Sequence, residues 1–235
     1  MTAPSPLIGV LGGMGPLATV DFLHKLVTLT PAARDQDHVP TVVWNVPQIP
    51  SRPDALAGTG PSPLPAMIAG IERLNAAGAS RIVIPCNTAH AWFDDLQAAS
   101  AAPLIHIAEA TVAALPKGLS SAGLIATRGT LQSGLYQSRL AARGIQPVLP
   151  TDDEIDTLFV PGWSAVKSND LDGAAEVLEA AVQRLRDRGA ERVILACTEV
   201  PVALEHKRSR HLAVSIDPAV ALATACIDYW TANRT

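Results

Sequence analysis

The sequence predicts an α/β protein made of two similar halves, each a parallel sheet flanked by helices, with the strand ends of both sheets facing a central cleft. Three observations predict it. Short apolar runs alternate with segments of helical period along the whole chain, the pattern of βαβ units. The stretch Arg81-Ile-Val-Ile-Pro-Cys86-Asn-Thr-Ala-His90 has a near copy in Arg192-Val-Ile-Leu-Ala-Cys197-Thr-Glu199, and one offset of 111 residues carries Leu74, Gly78, Ala79, Arg81 and Cys86 onto Leu185, Gly189, Ala190, Arg192 and Cys197. Gly9 and Gly15 recur as Gly123 and Gly129 at an offset of 114.

Taken in order, Leu7–Leu11 is wholly apolar, as a strand buried on both faces of a parallel sheet must be. Gly12-Gly-Met-Gly15 follows, and Pro16 suits the first turn of a helix whose packed side would carry Leu17, Val20, Leu23, Leu26 and Val27. Residues 41–45 read as the second strand. A Pro-rich loop from Pro47 to Pro65 holds Arg52, and loops of that length are commonly functional. A helix over 65–77, stopped by Gly78, leads into the first cysteine strand. Beyond it lie a helix near 91–99, a strand over 104–107 and a helix over about 108–115. The pattern restarts at Ala122–Ala126. There follow a helix over 130–142, a strand near 145–149, a helical segment Asp152–Phe159, a Pro-Gly loop leading to Val166 and Lys167, and a helix over 171–188 stopped by Gly189. The second cysteine strand, a strand over 212–216 and an apolar helix from Pro218 to Trp230 close the chain.

Composition narrows the function. Of the 235 residues, 48% are hydrophobic and 17% charged, which is enough apolar surface for a proper core. A net charge of −4 argues against nucleic acid or an anionic membrane as partner. No apolar run reaches the roughly 20 residues that span a bilayer. The N-terminal Met-Thr-Ala-Pro-Ser-Pro lacks the basic start of a signal peptide. Three cysteines, an odd number, fit free thiols in a reducing compartment, so the expected location is the cytoplasm.

Both cysteines fall at the carboxyl ends of predicted strands, where open parallel sheets bind ligands. So do the glycine turn with Met14, Thr127 and Arg52. Two thiols on opposite sides of a cleft cannot both ionise cheaply, so the pair holds one thiolate and one thiol. Such a pair removes a proton from one face of a carbon and returns one to the other face, which is stereoinversion by two bases. The carbanion needs donors around the substrate's carboxylate. Asn87, Thr88, Thr127, Thr198 and the loop amides are placed to supply them. Arg52 and Lys167 are the cations at strand-end loops, and an Arg there would hold a carboxylate bidentately.

Plainer readings compete. A cysteine after an apolar strand is usually a small buried hydrophobe, the reading kept for Cys226 in the last helix. Cys86, His90 and Cys197 could bind a metal, although no Cys-x-x-Cys spacing supports zinc. His90 could tune the Cys86 thiolate or cap the following helix. Gly13-Met-Gly15-Pro-Leu-Ala18 matches the dinucleotide fingerprint and opens a nicotinamide-dependent oxidoreductase as a rival class. The second strand, however, ends in Asn45-Val46, where that site wants an acidic residue for the ribose. The preferred reading is a turn whose missing Cβ atoms allow close approach to a small carboxylate.

Ile8-Gly-Val-Leu-Gly-Gly-Met-Gly-Pro-Leu-Ala-Thr19, Pro85-Cys-Asn-Thr-Ala-His90, Leu124-Ile-Ala-Thr-Arg-Gly-Thr130, Ala196-Cys-Thr-Glu199 and Asp217-Pro218 together resemble the aspartate/glutamate racemase family, its aspartate racemase branch in particular. The resemblance implies two pseudo-symmetric, Rossmann-like α/β domains: 1–103 joined by the returning segment 218–235, and 104–217. It implies an amino-acid racemase working without pyridoxal phosphate or any other cofactor and without a metal, on a small amino-acid substrate, as a homodimer. It gives Cys86 and Cys197 the acid/base roles, Arg52 and Lys167 the substrate carboxylate, and Met14, Asn87, Thr88, Thr127, Thr198 and Glu199 the pocket. Aspartate or glutamate comes first as substrate. Broad amino-acid specificity, or isomerisation or decarboxylation of another small carboxylate, stands as the alternative. Two departures bear on substrate choice: Pro-Ser-Arg-Pro-Asp around Arg52, and Arg128 in place of a commoner Pro.

Overall fold

The computed structural model describes residues 6–234. Met1–Ser5, most of the segment read above for targeting, lie outside them. The chain forms two compact units, one running to Ala110 and resuming at Ala219, the other Thr111–Pro218. Among the described residues no helix is long and apolar enough to cross a membrane.

The first unit opens with β1 (Ile8–Gly12), α1 (Pro16–Leu29) and β2 (Thr41–Asn45). It continues with α2 (Arg52–Leu56), α3 (Leu64–Ala76), β3 (Arg81–Val83), α4 (Phe93–Ala98) and α5 (Ile107–Ala113), whose last turn passes into the second unit. The sheet is parallel, in the order β2-β1-β3. Its strands show the two-residue alternation of a sheet covered on both faces. Ile8, Val10 and Val83 pack with Phe22 and Leu26 of α1, while Leu11, Ile82 and Ile84 pack with Met67, Ile71 and Leu74 of α3 and Leu96 of α4.

The second unit contains β4 (Ser121–Ala126), α6 (Arg128–Gln132), α7 (Gln137–Ala141) and β5 (Gln146–Val148). A continuous helical stretch follows: α8 (Asp152–Glu154), a π-turn (Ile155–Phe159) and α9 (Val160–Lys167). Then come α10 (Leu171–Asp187), β6 (Arg192–Ala196), α11 (Glu199–His206) and β7 (Ser215–Ile216). This sheet too is parallel, in the order β5-β4-β6-β7. The final helix, α12 (Pro218–Asn233), packs Leu222, Cys226 and Trp230 against Ile8 and Val10 of the first unit.

The sequence repeat is a repeat of contacts. Gly9 pairs with Ile82 and Gly123 with Val193, the same register in both sheets. A Cβ on Gly9 would lie 2.9 Å from the Cβ of Ala79 and 3.3 Å from that of Leu74; on Gly123 it would lie 3.2 Å from Ala190 and 3.0 Å from Leu185. Helix and strand thus close on each other at a glycine in both units. Gly78 and Gly189 end α3 and α10 at φ +85° and +91°, a conformation in which glycine carries no Cβ penalty.

Six expectations are corrected. The strand expected over 212–216 is a 3-10 turn, Arg210–Val214, followed by the two residues of β7. The segment 104–107 makes a single bridge, Ile82 to Leu104, because His106 Nδ1 accepts the Ala108 N–H and turns the chain into α5. The helix expected over 130–142 is two short ones, interrupted by Gly134 at φ +67°. Pro161-Gly162 lies inside the helix, not in a loop. Pro161 sits in the first turn of α9, and a Cβ on Gly162 would come within 2.7 Å of Leu178, so the glycine lets α9 close on α10. The Pro-rich stretch after β2 contains α2, capped by Ser51. On α1 the buried side is Ala18, Thr19, Phe22, Lys25 and Leu26, whereas Leu17, Val20 and Val27 are exposed. Apolar residues on both sides of that helix made the periodicity ambiguous, and Phe22 decided it.

Candidate active site

In the first unit, β3 ends early because Pro85 has no N–H to offer a neighbouring strand. The Cys86 N–H turns back onto the Ile84 carbonyl at 2.8 Å. Ala196 stands in the corresponding place of the second unit, keeps its N–H, and β6 runs on through it to Cys197. The two cysteines are equally buried, at 6% exposure each, and none of the three cysteines forms a disulfide. Burial pushes the Cys226 thiol in α12 up to about 12, which suits a core residue.

Asn87, Thr88 and His90 are buried in the 3-10 turn after Cys86. His90 Nε2 accepts the Ile107 N–H at 3.2 Å, so its proton sits on Nδ1, which donates to the Cys86 carbonyl at 2.9 Å. The imidazole is therefore a neutral brace between the cysteine loop and the start of α5. With both nitrogens engaged it has no lone pair to offer a metal, and among the described residues no group of three His, Cys, Asp or Glu could hold one. The His90 ring packs on His106, centroids 4.8 Å apart, and His106 on Phe93 at 4.5 Å. His106 shows no pattern in the sequence, since a contact across sixteen residues leaves no periodic trace.

Arg52 lies at the first position of α2, which packs against that 3-10 turn. The side chain is buried and its Nη1 donates to the Ile49 and Pro50 carbonyls at 3.0 and 2.9 Å. Nε is also buried and makes no hydrogen bond. One nitrogen thus fixes the guanidinium while another stays uncommitted. Met14 is buried in the same apolar cluster as Ile49 and Cys86.

The glycine turn differs from the preferred reading. A Cβ on Gly13 would lie 2.3 Å from the Val46 backbone, and on Gly12 2.3 Å from the Thr19 side chain. The Gly13 N–H donates to Thr19 Oγ1 at 2.9 Å, and that hydroxyl donates to the Gly15 carbonyl at 2.9 Å. Space and donor at Gly12-Gly13 are consumed by the protein itself, so neither a ligand carboxylate nor a pyrophosphate is cradled there.

In the second unit Thr127 caps α6, its hydroxyl accepting the Thr130 N–H at 3.2 Å. Cys197 Sγ donates to Glu199 Oε2 at 3.1 Å, and Thr198 Oγ1 donates to the same oxygen at 3.3 Å. All three residues are buried, and Glu199 opens α11, where the helix dipole favours negative charge. Lys167, on the last turn of α9, is exposed with its amine 3.9 Å above the Trp163 ring. Arg128 does not bring a free cation to the site. Asp156, at 2.7 Å, and Asp152 bind its guanidinium and hold its pKa above the ordinary value.

Comparison with known proteins decides the family: the Asp/Glu/hydantoin racemase family matches residues 11–226, a span that includes both cysteines and every strand but the start of β1. The chain belongs to the Asp/Glu/hydantoin racemase family. It is 35% identical to the aspartate racemase of Picrophilus torridus over 96% of this chain and 94% of that one, with a TM-score of 0.86. It is 28% identical to the broad specificity amino-acid racemase RacX of Bacillus subtilis over 97% of this chain and all of that protein. The glutamate racemase of Francisella tularensis, solved in complex with D-glutamate, shares the fold at a TM-score of 0.73 and 20% identity, covering 97% of this chain and 82% of that one. As a member of this racemase family the chain is an isomerase, an amino-acid racemase of two-domain, Rossmann-like α/β fold.

Proposed function

We propose that this racemase interconverts the enantiomers of a small amino acid, aspartate or glutamate first, by a two-base mechanism that needs no cofactor. Cys86 and Cys197 act on opposite faces of the α-carbon. One thiolate takes the α-proton, and the other thiol returns a proton to the far face, the roles exchanging with direction. The observation that carries this reading is the repeat: two cysteines, each past the end of an equivalent strand, equally buried and each followed by buried polar side chains. Arg52 is the first candidate for the substrate's carboxylate, because its buried Nε is uncommitted. Asn87, Thr88, Thr127 and the backbone N–H of Thr198 are the candidate donors, Met14 lines the pocket, and Lys167 is a cation that would have to leave its place over Trp163 to reach a substrate.

The relatives support the substrate order, one being an aspartate racemase and another a broad specificity amino-acid racemase. A cytoplasmic homodimer accords with cysteines that form no disulfide and with the exposed apolar row Leu17, Val20 and Val27 on α1. Chiral chromatography over a panel of L- and D-amino acids tests the reading. Racemisation of an acidic amino acid, lost in Cys86→Ala and in Cys197→Ala, supports it; decarboxylation or cis–trans isomerisation in its place contradicts it.

A further inference from the structure

The two cysteines have unlike neighbours in the chain. In the first unit the residues that follow Cys86 are neutral: Asn87, Thr88 and a His90 whose Nε2 accepts a backbone N–H. In the second, the Cys197 sulfur points its proton at a buried carboxylate 3.1 Å away, and Thr198 donates to the same Glu199 oxygen. The one Glu199 oxygen accepts from both donors, and its place on the first turn of α11 favours negative charge there.

We infer that Glu199 is the positioning residue that keeps the proton on Cys197, so that the resting enzyme holds Cys86 as the thiolate and Cys197 as the thiol. A carboxylate beside a sulfur stabilises S–H over S⁻ by like-charge repulsion and by accepting the thiol's hydrogen bond. The inference rests on the proposed two-base reading, in which the pair shares one proton. In the forward step the Cys86 thiolate becomes a thiol as the α-carbon becomes a carbanion. The carbanion then takes the proton of Cys197, which becomes the thiolate beside Glu199. That thiolate is the less stable of the two, so the enzyme returns to rest by moving one proton from Cys86 to Cys197 through solvent, with no net change in charge.

The ion pairs described on the elements packed against α11 lie away from Glu199. On α10, Asp172 pairs with His206 at 3.4 Å and with Lys207 at 3.7 Å, and Glu176 reaches Lys207 at 4.0 Å. Those contacts lie at the other end of α11, roughly 10 Å along it. Lys167 of α9 lies over Trp163. Arg210, Glu179 and Arg186 surround His211.

The test is thiolate absorbance near 240 nm against pH in Cys86→Ala and in the double variant Cys86→Ala/Glu199→Gln. The other thiol in both variants, Cys226, is pushed up to about 12 by burial and sets the upper edge of the titration. Removing the carboxylate's charge should lower the Cys197 midpoint by about 1 unit or more, and Glu199→Asp should restore a raised midpoint. An unchanged or higher midpoint in the double variant overturns the inference. In the enzyme with all three cysteines, mass spectrometry after brief iodoacetamide treatment should find Cys86 modified at least about tenfold faster than Cys197, with the ratio shrinking in Glu199→Gln; modification of Cys197 first overturns it. Neither readout needs turnover. The expected shift in a preparation that racemises nothing therefore supports the Glu199–Cys197 coupling while overturning the proposed reaction.

Discussion

His90 Nδ1 lies 2.9 Å from the Cys86 carbonyl oxygen, and the opposite nitrogen of the same ring holds the Ile107 N–H that opens α5. The loop that begins at Cys86 is thereby anchored to the body of its unit through one neutral side chain.

Replacing His90 with Ala leaves a buried carbonyl and a buried N–H without these partners. The expected cost is about 2–6 kcal/mol, from about 1–3 kcal/mol for each orphaned group. Urea denaturation of the variant measures it. If His90 acts as a brace, the racemisation rate falls with the loss of loop order while the pH dependence of the reaction keeps its form.

Gly9→Ala and Gly123→Ala should be damaging to similar degrees. Each would push a methyl into the matched alanine and leucine of the same repeat, at 2.9 and 3.3 Å in one unit and 3.2 and 3.0 Å in the other. Overpacking of this kind costs about 1–3 kcal/mol. Denaturation midpoints of the two single variants, compared side by side, check whether the repeat is one of energetics as well as of geometry.

The pairing of Glu154 with Arg188 gives a pH dependence far from the cysteines. The hydrogen bond from Arg188, at 2.6 Å, holds the Glu154 carboxyl below its ordinary 4.5, and the Thr151 backbone N–H adds to the effect. A carboxyl depressed on folding contributes stability that is fully present above its unfolded pKa and is lost as pH falls through the folded one. Glu154→Gln should therefore flatten the acid side of the stability curve below about pH 4.5 and leave catalysis near neutrality unchanged. Thermal melts at stepped pH on both proteins measure the difference.

Much of this was legible in the chain. Most of the strands, the Gly stops and the doubled cysteine segment could be read because each rests on a local rule: an apolar run, a residue that must take positive φ, a spacing. Other features depend on partners distant in sequence. Gly162 reads as a loop residue until Leu178 is seen against it. The Gly12-Gly13 turn looks like a ligand cradle until Val46 and Thr19 fill it. Arg128 looks like a pocket cation until Asp152 and Asp156 take it. The acid beside Cys197 was visible as a neighbour in sequence, but only the fold shows that its carboxylate oxygen faces the sulfur.

Arg52 is the sharpest test of substrate recognition. Its Nη1 is spent on the Ile49 and Pro50 carbonyls, which orients the guanidinium, and its buried Nε is uncommitted. Arg52→Lys keeps the charge and loses that planar geometry. KM for the racemised amino acid should rise by about tenfold or more, equivalent to roughly 1.4 kcal/mol. Steady-state kinetics in both directions, with folding checked by circular dichroism, provide the comparison. An unchanged KM would remove Arg52 from the substrate site.

The central claim, that Cys86 and Cys197 are the two bases, is tested most directly by proton NMR of the α-hydrogen in D2O, with aspartate and glutamate of either hand as substrates. The account predicts that the wild-type enzyme converts each enantiomer to its mirror image with solvent deuterium at the α-carbon. It predicts that Cys86→Ala and Cys197→Ala each abolish inversion, any remaining exchange being confined to one enantiomer and to opposite enantiomers in the two variants. Inversion surviving in either variant at more than a trace of the wild-type rate, or product formed without solvent deuterium, would contradict it.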